Sequence, residues 1–266
     1  MSFFFRTVNG QMDVKALGNA PTIPIITTGL QLNLDAATGI SGSTWTDSSP
    51  NKYNHTSYVG TSSSWSGTPS TIVNFPTTTV NGYTVVNFTG SNYNFAYYSP
   101  GFGSLLVGAY TSDIWICPTS LSQDMCLIME NGQASVGPTG WCAAQTAIVG
   151  SYIHAGHYGY ANGYNSSTAA LVVNKWYNVV STFDGSLLTL YINGVQQGQI
   201  TSARSANSVN WLTFGINDWQ GYLGSGGMYF FTGYFGAIKM YNAALTLSQV
   251  KQNYNSLCTR YGLSTI

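Results

Sequence analysis

The chain has 266 residues, 44% of them hydrophobic, enough for one large all-β unit with a sizeable core. Only 6% are charged, eight basic against eight acidic, for a net charge of zero, where a typical domain carries roughly 25%. Without a long-range field or a basic cluster, nucleic acid is not an expected partner. No stretch of ~18 apolar residues is present to insert in a membrane, and near-zero net charge lets copies approach one another.

In chain order, residues 1–28 read as an N-terminal arm and Pro-containing linker, and residues 29–266 as the main domain. The start, Met-Ser-Phe3-Phe4-Phe5-Arg6, has too few apolar residues for the core of a secretory signal, so synthesis in a cytosol is expected. Pro21 and Pro24 stiffen the connector, since each fixes its own φ and restricts the residue before it. The arm is either a first edge strand folded back on the domain or an assembly arm that inserts Phe3, Phe4 and Phe5 into a neighbouring subunit. Three adjacent aromatics call for cover of one kind or the other.

From Gly29 to about Tyr241, short runs rich in Val, Ile, Thr, Tyr, Phe and Trp alternate with Gly, Asn, Ser and Pro, the pattern of many short strands. Asn81-Gly82, Asp184-Gly185 and Asn193-Gly194 supply the positive φ of tight primed turns. Between the last two, Leu188, Leu190 and Ile192 alternate with Thr189 and Tyr191, predicting a strand with one buried side. A meander over Trp176–Phe183, Leu187–Ile192 and Gln196–Ile200 follows. Met228–Phe235 is apolar on both faces, as a central strand would be. A helix is predicted at about 247–260, with Thr246 and Gln249 as a capping box, Leu247, Val250, Tyr254 and Leu257 as its apolar stripe, and Gly262 as its stop.

Cys117, Cys126, Cys142 and Cys258 form no C-x-x-C pair and read as reduced core thiols. The most ligand-like stretch runs from Trp141 to Tyr164 and holds Tyr152, His154, His157, Tyr158, Tyr160 and Asn162 among glycines. Aromatic faces stack on sugar C–H surfaces while Asn and His edges bond hydroxyls, so the composition suits a carbohydrate platform; the alternative is a hairpin whose tyrosines meet another subunit or water. Catalysis is not expected. Glycoside hydrolysis needs two carboxylates across the sugar bond, yet Glu130 is the sole glutamate and Asp124 lies six residues away, roughly 20 Å along a strand. A pair such as Glu130 with Asp113 would have to meet through the tertiary fold. G-x-S-x-G, H-E-x-x-H and a phosphate loop are all absent.

Several separated segments resemble, in order, the laminin-G-like pattern of the concanavalin A-like lectin/glucanase superfamily. They are Leu32-Asn-Leu-Asp35-Ala, Trp45-Thr-Asp47-Ser-Ser-Pro-Asn51, Val85-Val-Asn-Phe88-Thr-Gly90, Ser112-Asp-Ile-Trp115, Lys175-Trp176-Tyr-Asn-Val179, Phe183-Asp184-Gly185, Leu190-Tyr191-Ile192-Asn193-Gly194 and Gly233 to Gln249. The resemblance implies a two-sheet antiparallel jelly-roll sandwich with one short C-terminal helix. It also implies a possible calcium site with Asp35, Asp47 and Asn51 as candidate ligands, although Gly236-Ala237 stands where the family carries an acidic pair. The competing reading of Asp47 is an Asx-turn. No other cofactor is implied. Relatives include structural proteins of phages and large DNA viruses, sugar-binding and adhesion modules, and glucanases. The main expectation is a non-catalytic virion subunit (minor capsid, decoration or fibre protein), made in the host cytoplasm and contacting other particle subunits or copies of itself. The alternative is a lectin or adhesion module that binds glycans, cytoplasmic or exported by a non-classical route.

Overall fold

The computed structural model describes residues 3–8, 11–16, 23–59, 71–90, 94–98, 108–132, 144–157, 164–203, 209–215 and 230–266. Among these residues the strands in the first part of the chain are β1 Phe3–Val8, β2 Gln11–Ala16, β3 Leu30–Asp35, β4 Ile40–Ser41, β5 Thr44–Trp45, β6 His55–Val59, β7 Thr71–Ile72, β8 Thr77–Val80, β9 Tyr83–Thr89 and β10 Asn94–Tyr98. The second part contributes β11 Tyr110–Pro118, β12 Met125–Gly132, β13 Ala144–Val149, β14 Tyr152–His157, β15 Tyr164–Ser166, β16 Tyr177–Phe183, β17 Leu187–Ile192, β18 Val195–Thr201, β19 Val209–Phe214 and β20 Thr232–Tyr241. Two helices, α1 Ala36–Gly39 and α2 Leu247–Leu257, complete the set, with a 3-10 turn over Cys258–Tyr261.

All the strand pairings are antiparallel, and they form two large sheets and one hairpin. One sheet runs β18-β17-β16-β11-β20-β9-β8, with β3 beside the second half of β20. The other runs β15-β14-β13-β12-β19-β10-β6-β5-β4, with β7 against β6. The hairpin β1–β2 is a sheet of its own. The expected sandwich with a short C-terminal helix is therefore the observed architecture.

Strand alternation explains the core. Leu32, Leu34, Phe88, Ile114, Ile116, Leu188, Leu190 and Ile238 of the first sheet meet Leu127, Ile148, Ile153, Leu212 and Phe214 of the second in one buried cluster. On the other face of the first sheet a second apolar layer gathers under α2. Trp115 stacks between Tyr254 and Tyr261, with centroids 5.6 and 4.6 Å away, and Trp176 lies 4.2 Å from Tyr261.

This second layer corrects one expectation. Thr189 and Tyr191 are buried along with Leu188 and Leu190, so β17 has two covered faces. The meander itself is as expected, with Asn81-Gly82 and Asn193-Gly194 both at positive φ. At Asp184-Gly185 only the glycine has positive φ, and Asp184 instead accepts from the N–H groups of Ser186 and Leu187, both at 2.8 Å.

The central strand begins at Thr232, later than the Met228–Phe235 run suggested, and is hydrogen-bonded to β11, β9 and β3. The helix starts with the expected capping box, Thr246 Oγ1 accepting from Gln249 N–H. Val250, Tyr254 and Leu257 are buried, but Leu247 is exposed and lies off the stripe. Gly262 adopts the left-handed conformation that ends the 3-10 turn. Cys117, Cys126 and Cys258 are buried thiols; burial raises the Cys117 thiol to about 11, so it stays protonated. Cys142 lies outside the described residues.

Candidate functional site

The site is built from β13, β14 and β15, which end the second sheet. The turn between β13 and β14 is held by Gly150 at positive φ and by Asp124, whose Oδ1 accepts from Gly150 N–H at 2.7 Å. Pairing in β14 sets Ile153, Ala155 and His157 against Ile148, Thr146 and Ala144 of β13, on the core side. Tyr152, His154 and Gly156 consequently lie on the outer face, about 7 Å apart along the strand.

Across that outer face the register makes three short rows. Tyr152 stands opposite Val149; His154 lies between Ala147 and Ser166; and Gly156 lies between Gln145 and Tyr164. Tyr152 is 43% exposed and His154 half-buried. Tyr164 donates its hydroxyl proton to Gln145 Oε1 at 3.2 Å across Gly156, which has no side chain to keep them apart. Gln145 is only 3% exposed, and among the described residues its buried Nε2 has no hydrogen-bond partner.

His154 is the polar centre. Ser166 Oγ lies 3.3 Å from its Nε2. Burial lowers the ring's pKa below the usual 6.5, against the opposing pull of Asp124. A neutral imidazole has one donor and one acceptor nitrogen, the pairing that a hydroxyl can complement from either side. An exposed aromatic face, a neutral imidazole, a hydroxyl and an amide together suit an uncharged polyhydroxylated ligand. No Lys or Arg lies in these three strands.

The expected platform is thus divided. Tyr152, His154 and Tyr164 come together on one face. His157 does not join them, because its odd position on β14 sends it to the core: it has no exposed surface, with Nε2 3.0 Å from Tyr110 hydroxyl and Nδ1 2.8 Å from Ser202 Oγ. It ties the two sheets together. Trp141, Tyr158, Tyr160 and Asn162 lie outside the described residues. Sequence reasoning passes over Gln145, a lone amide inside the aromatic stretch, and over Ser166 and Asp124, which lie outside it on β15 and just before β12; the turn glycine Gly150 is the one clue that brings them in.

The calcium candidates are committed to the fold. Asp47 is buried, and its carboxylate accepts from the N–H groups of Asn33, Ser49 and Tyr53, each at 2.8 Å, and from Ser49 hydroxyl at 2.6 Å, the Asx-turn reading. Asp35 caps α1 through Ala37 N–H and takes Arg260 Nη1 at 2.7 and 2.8 Å. Asn51 Nδ2 donates to the carbonyl and side chain of Gln31. Among the described residues no group of three His, Cys, Asp or Glu side chains is placed to hold a metal.

The candidate acids do not meet either. Asp113 lies without exposed surface beneath α2, accepting from Asn178 at 2.7 Å and Asn253 at 3.0 Å. Glu130 belongs to β12 in the other sheet, opposite Leu212.

Comparison with known proteins places this geometry in context. The profile of Laminin_G_3, of the concanavalin A-like lectin/glucanases superfamily, matches residues 89–251. No curated protein sequence matches significantly. Among solved structures, domain 4 of an extracellular GH43 arabinanase from Geobacillus stearothermophilus, in complex with arabinotriose, superposes with a TM-score of 0.60 at 15% identity, covering 87% of this chain and 100% of that one. The binding domain of botulinum neurotoxin DC in complex with SialylT gives a TM-score of 0.57 at 14% identity over 87% of this chain. The chain spans 52% of that neurotoxin domain. Such likenesses establish a shared fold. Among the described residues no helix is long and apolar enough to cross a membrane.

Proposed function

The chain belongs to the Laminin_G_3 family of the concanavalin A-like lectin/glucanase superfamily, and from that premise we propose that it is a non-catalytic domain that binds neutral oligosaccharides on the outer face of β13–β15. Fold alone does not assign a function within this superfamily; the reading rests on the site. The observation that carries it is the placement of exposed Tyr152 with His154, Ser166 and Tyr164 on one face of β14 and β15. Tyr152 supplies a stacking face, His154 and Ser166 supply paired donors and acceptors, and Gln145 holds the Tyr164 hydroxyl in place.

Structures of the same fold include one bound to arabinotriose and a neurotoxin domain described with SialylT. The first suits the uncharged chemistry of β13–β15 better than a sialylated glycan, whose carboxylate would meet the like charge of Asp124 beside His154. This favours glycan binding over the virus-particle expectation, for which neither the family match nor the similar structures give support. The non-catalytic part of the reading is supported by the placement of Asp113, buried beneath α2, while Glu130 belongs to β12 of the other sheet.

The test is titration calorimetry with arabinan, galactan and β-glucan oligosaccharides and with a sialylated oligosaccharide, on wild type and on Tyr152→Ala and His154→Ala. Binding to at least one neutral glycan, weakened roughly 5–10-fold by loss of the Tyr152 stack at ~1 kcal/mol, supports the proposal. Binding that leaves both variants at wild-type affinity removes the site, and binding confined to the sialylated glycan overturns the neutral-ligand reading. Release of reducing sugar from any of these polymers would overturn the non-catalytic assignment.

A further inference from the structure

Asn81-Gly82 and Asn193-Gly194 close hairpins with the same local backbone: both asparagines have a φ of 50°, and the glycines follow at 82° and 72°. With dipeptide and conformation alike, the surroundings decide what becomes of each. The first pair turns β8 into β9, and β8 stands last in the described order of its sheet. Asn81 and Gly82 are exposed, and a Cβ added at Gly82 would meet nothing within 4 Å. Among the described residues the Asn81 side chain is held through Nδ2, which donates to the Arg260 carbonyl at 3.5 Å, the long limit for such a bond.

The second pair is clamped. Asn193 Oδ1 accepts from Asn178 N–H at 2.8 Å, and the Asn193 N–H donates to the Asn178 carbonyl at 2.8 Å. Gly194 is buried, with Ile266 and the Lys251 stem packed over it. Turning the Asn193 side chain toward Gly194 breaks the first of these bonds and leaves the Asn178 N–H without its acceptor. Turning Asn81 toward Gly82 costs one long, exposed bond.

We propose that Asn81 is a site of spontaneous deamidation in the folded protein, and that the fold protects Asn193 from the same reaction. The Gly82 backbone nitrogen gives its proton to solvent and attacks Asn81 Cγ; the Cγ–Nδ2 bond breaks and ammonia leaves, taking a proton from solvent. A cyclic imide remains. Water then opens one of its two C–N bonds, leaving aspartate or isoaspartate at position 81, so the sum is one water consumed and one ammonia released. Gly82 has no side chain to obstruct the approach. Either product replaces an amide donor with a carboxylate facing the Arg260 carbonyl, so the tie between the β8–β9 turn and the 3-10 turn is lost. The chain's net charge moves from zero to minus one. Isoaspartate also routes the main chain through the side chain and lengthens a two-residue turn, which loosens the pairing of Val80 with Tyr83.

The experiment incubates the full chain for weeks in mildly alkaline buffer, folded and in concentrated urea, and follows the peptides that contain positions 81 and 193 by mass spectrometry, where each conversion adds about 1 Da. In urea the two positions are expected to convert at similar rates, since the dipeptide is the same. In the folded chain position 81 should convert more than about tenfold faster than position 193, whose reaction waits on local opening. Hydrogen exchange of the β8 amides should quicken in the aged chain and stay unchanged in equally aged Asn81→Gln, which separates position 81 from other Asn-Gly pairs of the sequence. Equal rates at the two positions of the folded chain, faster conversion at 193, no conversion at 81, or β8 exchange that quickens equally in Asn81→Gln overturns the proposal. No sugar enters the measurement, so its outcome is independent of the glycan reading.

Discussion

His55 opens β6 with no exposed surface, its ring against Phe214 and its Nδ1–H donated to the Tyr53 carbonyl at 3.1 Å. Burial depresses its pKa from 6.5 to about 4, outweighing the Tyr53 carbonyl and the charge of Asp47, which both favour the proton. The folded state therefore holds a neutral ring while the unfolded chain takes up a proton below 6.5. Stability from this group is complete above about pH 6.5 and is lost as pH falls toward 4, by about 3 kcal/mol. Melting temperatures across that interval should fall, and less steeply in His55→Gln; equal slopes would assign the acid sensitivity elsewhere. His154, also lowered by burial, acts in the same direction, so sugar affinity should be flat above neutrality and decline in acid as the imidazole charges. At this scale the sequence was legible where residue type alone decides, as in the Asx-turn competence of Asp47. It misled at His157, because position 157 is three strand steps from 154 and so faces the opposite way. That parity was available only once β14 had been placed.

Helix α2 shows how much of an element lies outside its own sequence. Its start was legible, since Thr246 and Gln249 cap the same backbone in any context. Its attachment was not. Asn253, at a position the apolar stripe ignores, is 1% exposed; its Nδ2 donates to Asp113 Oδ2 at 3.0 Å and to Tyr241 hydroxyl at 2.9 Å, and its Oδ1 accepts from Ile26 N–H at 2.8 Å. One amide thus joins helix, sheet and linker. Thr246→Ala removes an exposed cap and should cost about 1 kcal/mol. Asn253→Ala leaves a buried carboxylate and a buried N–H short of partners and should cost roughly 2–4 kcal/mol. Urea midpoints compare the two; an Asn253→Ala loss no larger than that of Thr246→Ala would mean that the network does not hold the helix. Because Tyr191 and Val180 lie under this helix, β17 and β16 are covered on both sides, which the one-sided alternation of Leu188 and Leu190 could not reveal.

For the whole molecule the open quantity is where the independently folding unit begins. A start at Gly29 follows from the family-like segments, which begin near Leu32. The linker before it nevertheless docks on the domain: Tyr241 hydroxyl donates to the Ile26 carbonyl at 3.0 Å, Gln252 Nε2 donates to the Pro24 carbonyl at 2.9 Å, and Ile25 and Ile26 pack against the cluster of Tyr241, Leu245 and Val250. Composition hid this because Pro21 and Pro24 read equally well as a free connector and as an extended strap. Removing residues 1–22 should leave the melting temperature near that of the full chain. Removing residues 1–28 takes away the N–H donor to Asn253 Oδ1 and the carbonyl that accepts the Tyr241 hydroxyl proton, and uncovers Val250. At about 1–3 kcal/mol for each buried group left unsatisfied, and roughly 2–4 °C per kcal/mol for a chain of this size, the shorter chain should melt about 5–15 °C lower. Differential scanning calorimetry of the two truncations and the full chain decides between a strap and a free linker. Coincident melts for both truncations would place residues 23–28 outside the cooperative unit and restore Gly29 as its start, whereas an equal loss in both would place the boundary earlier, within the first 22 residues.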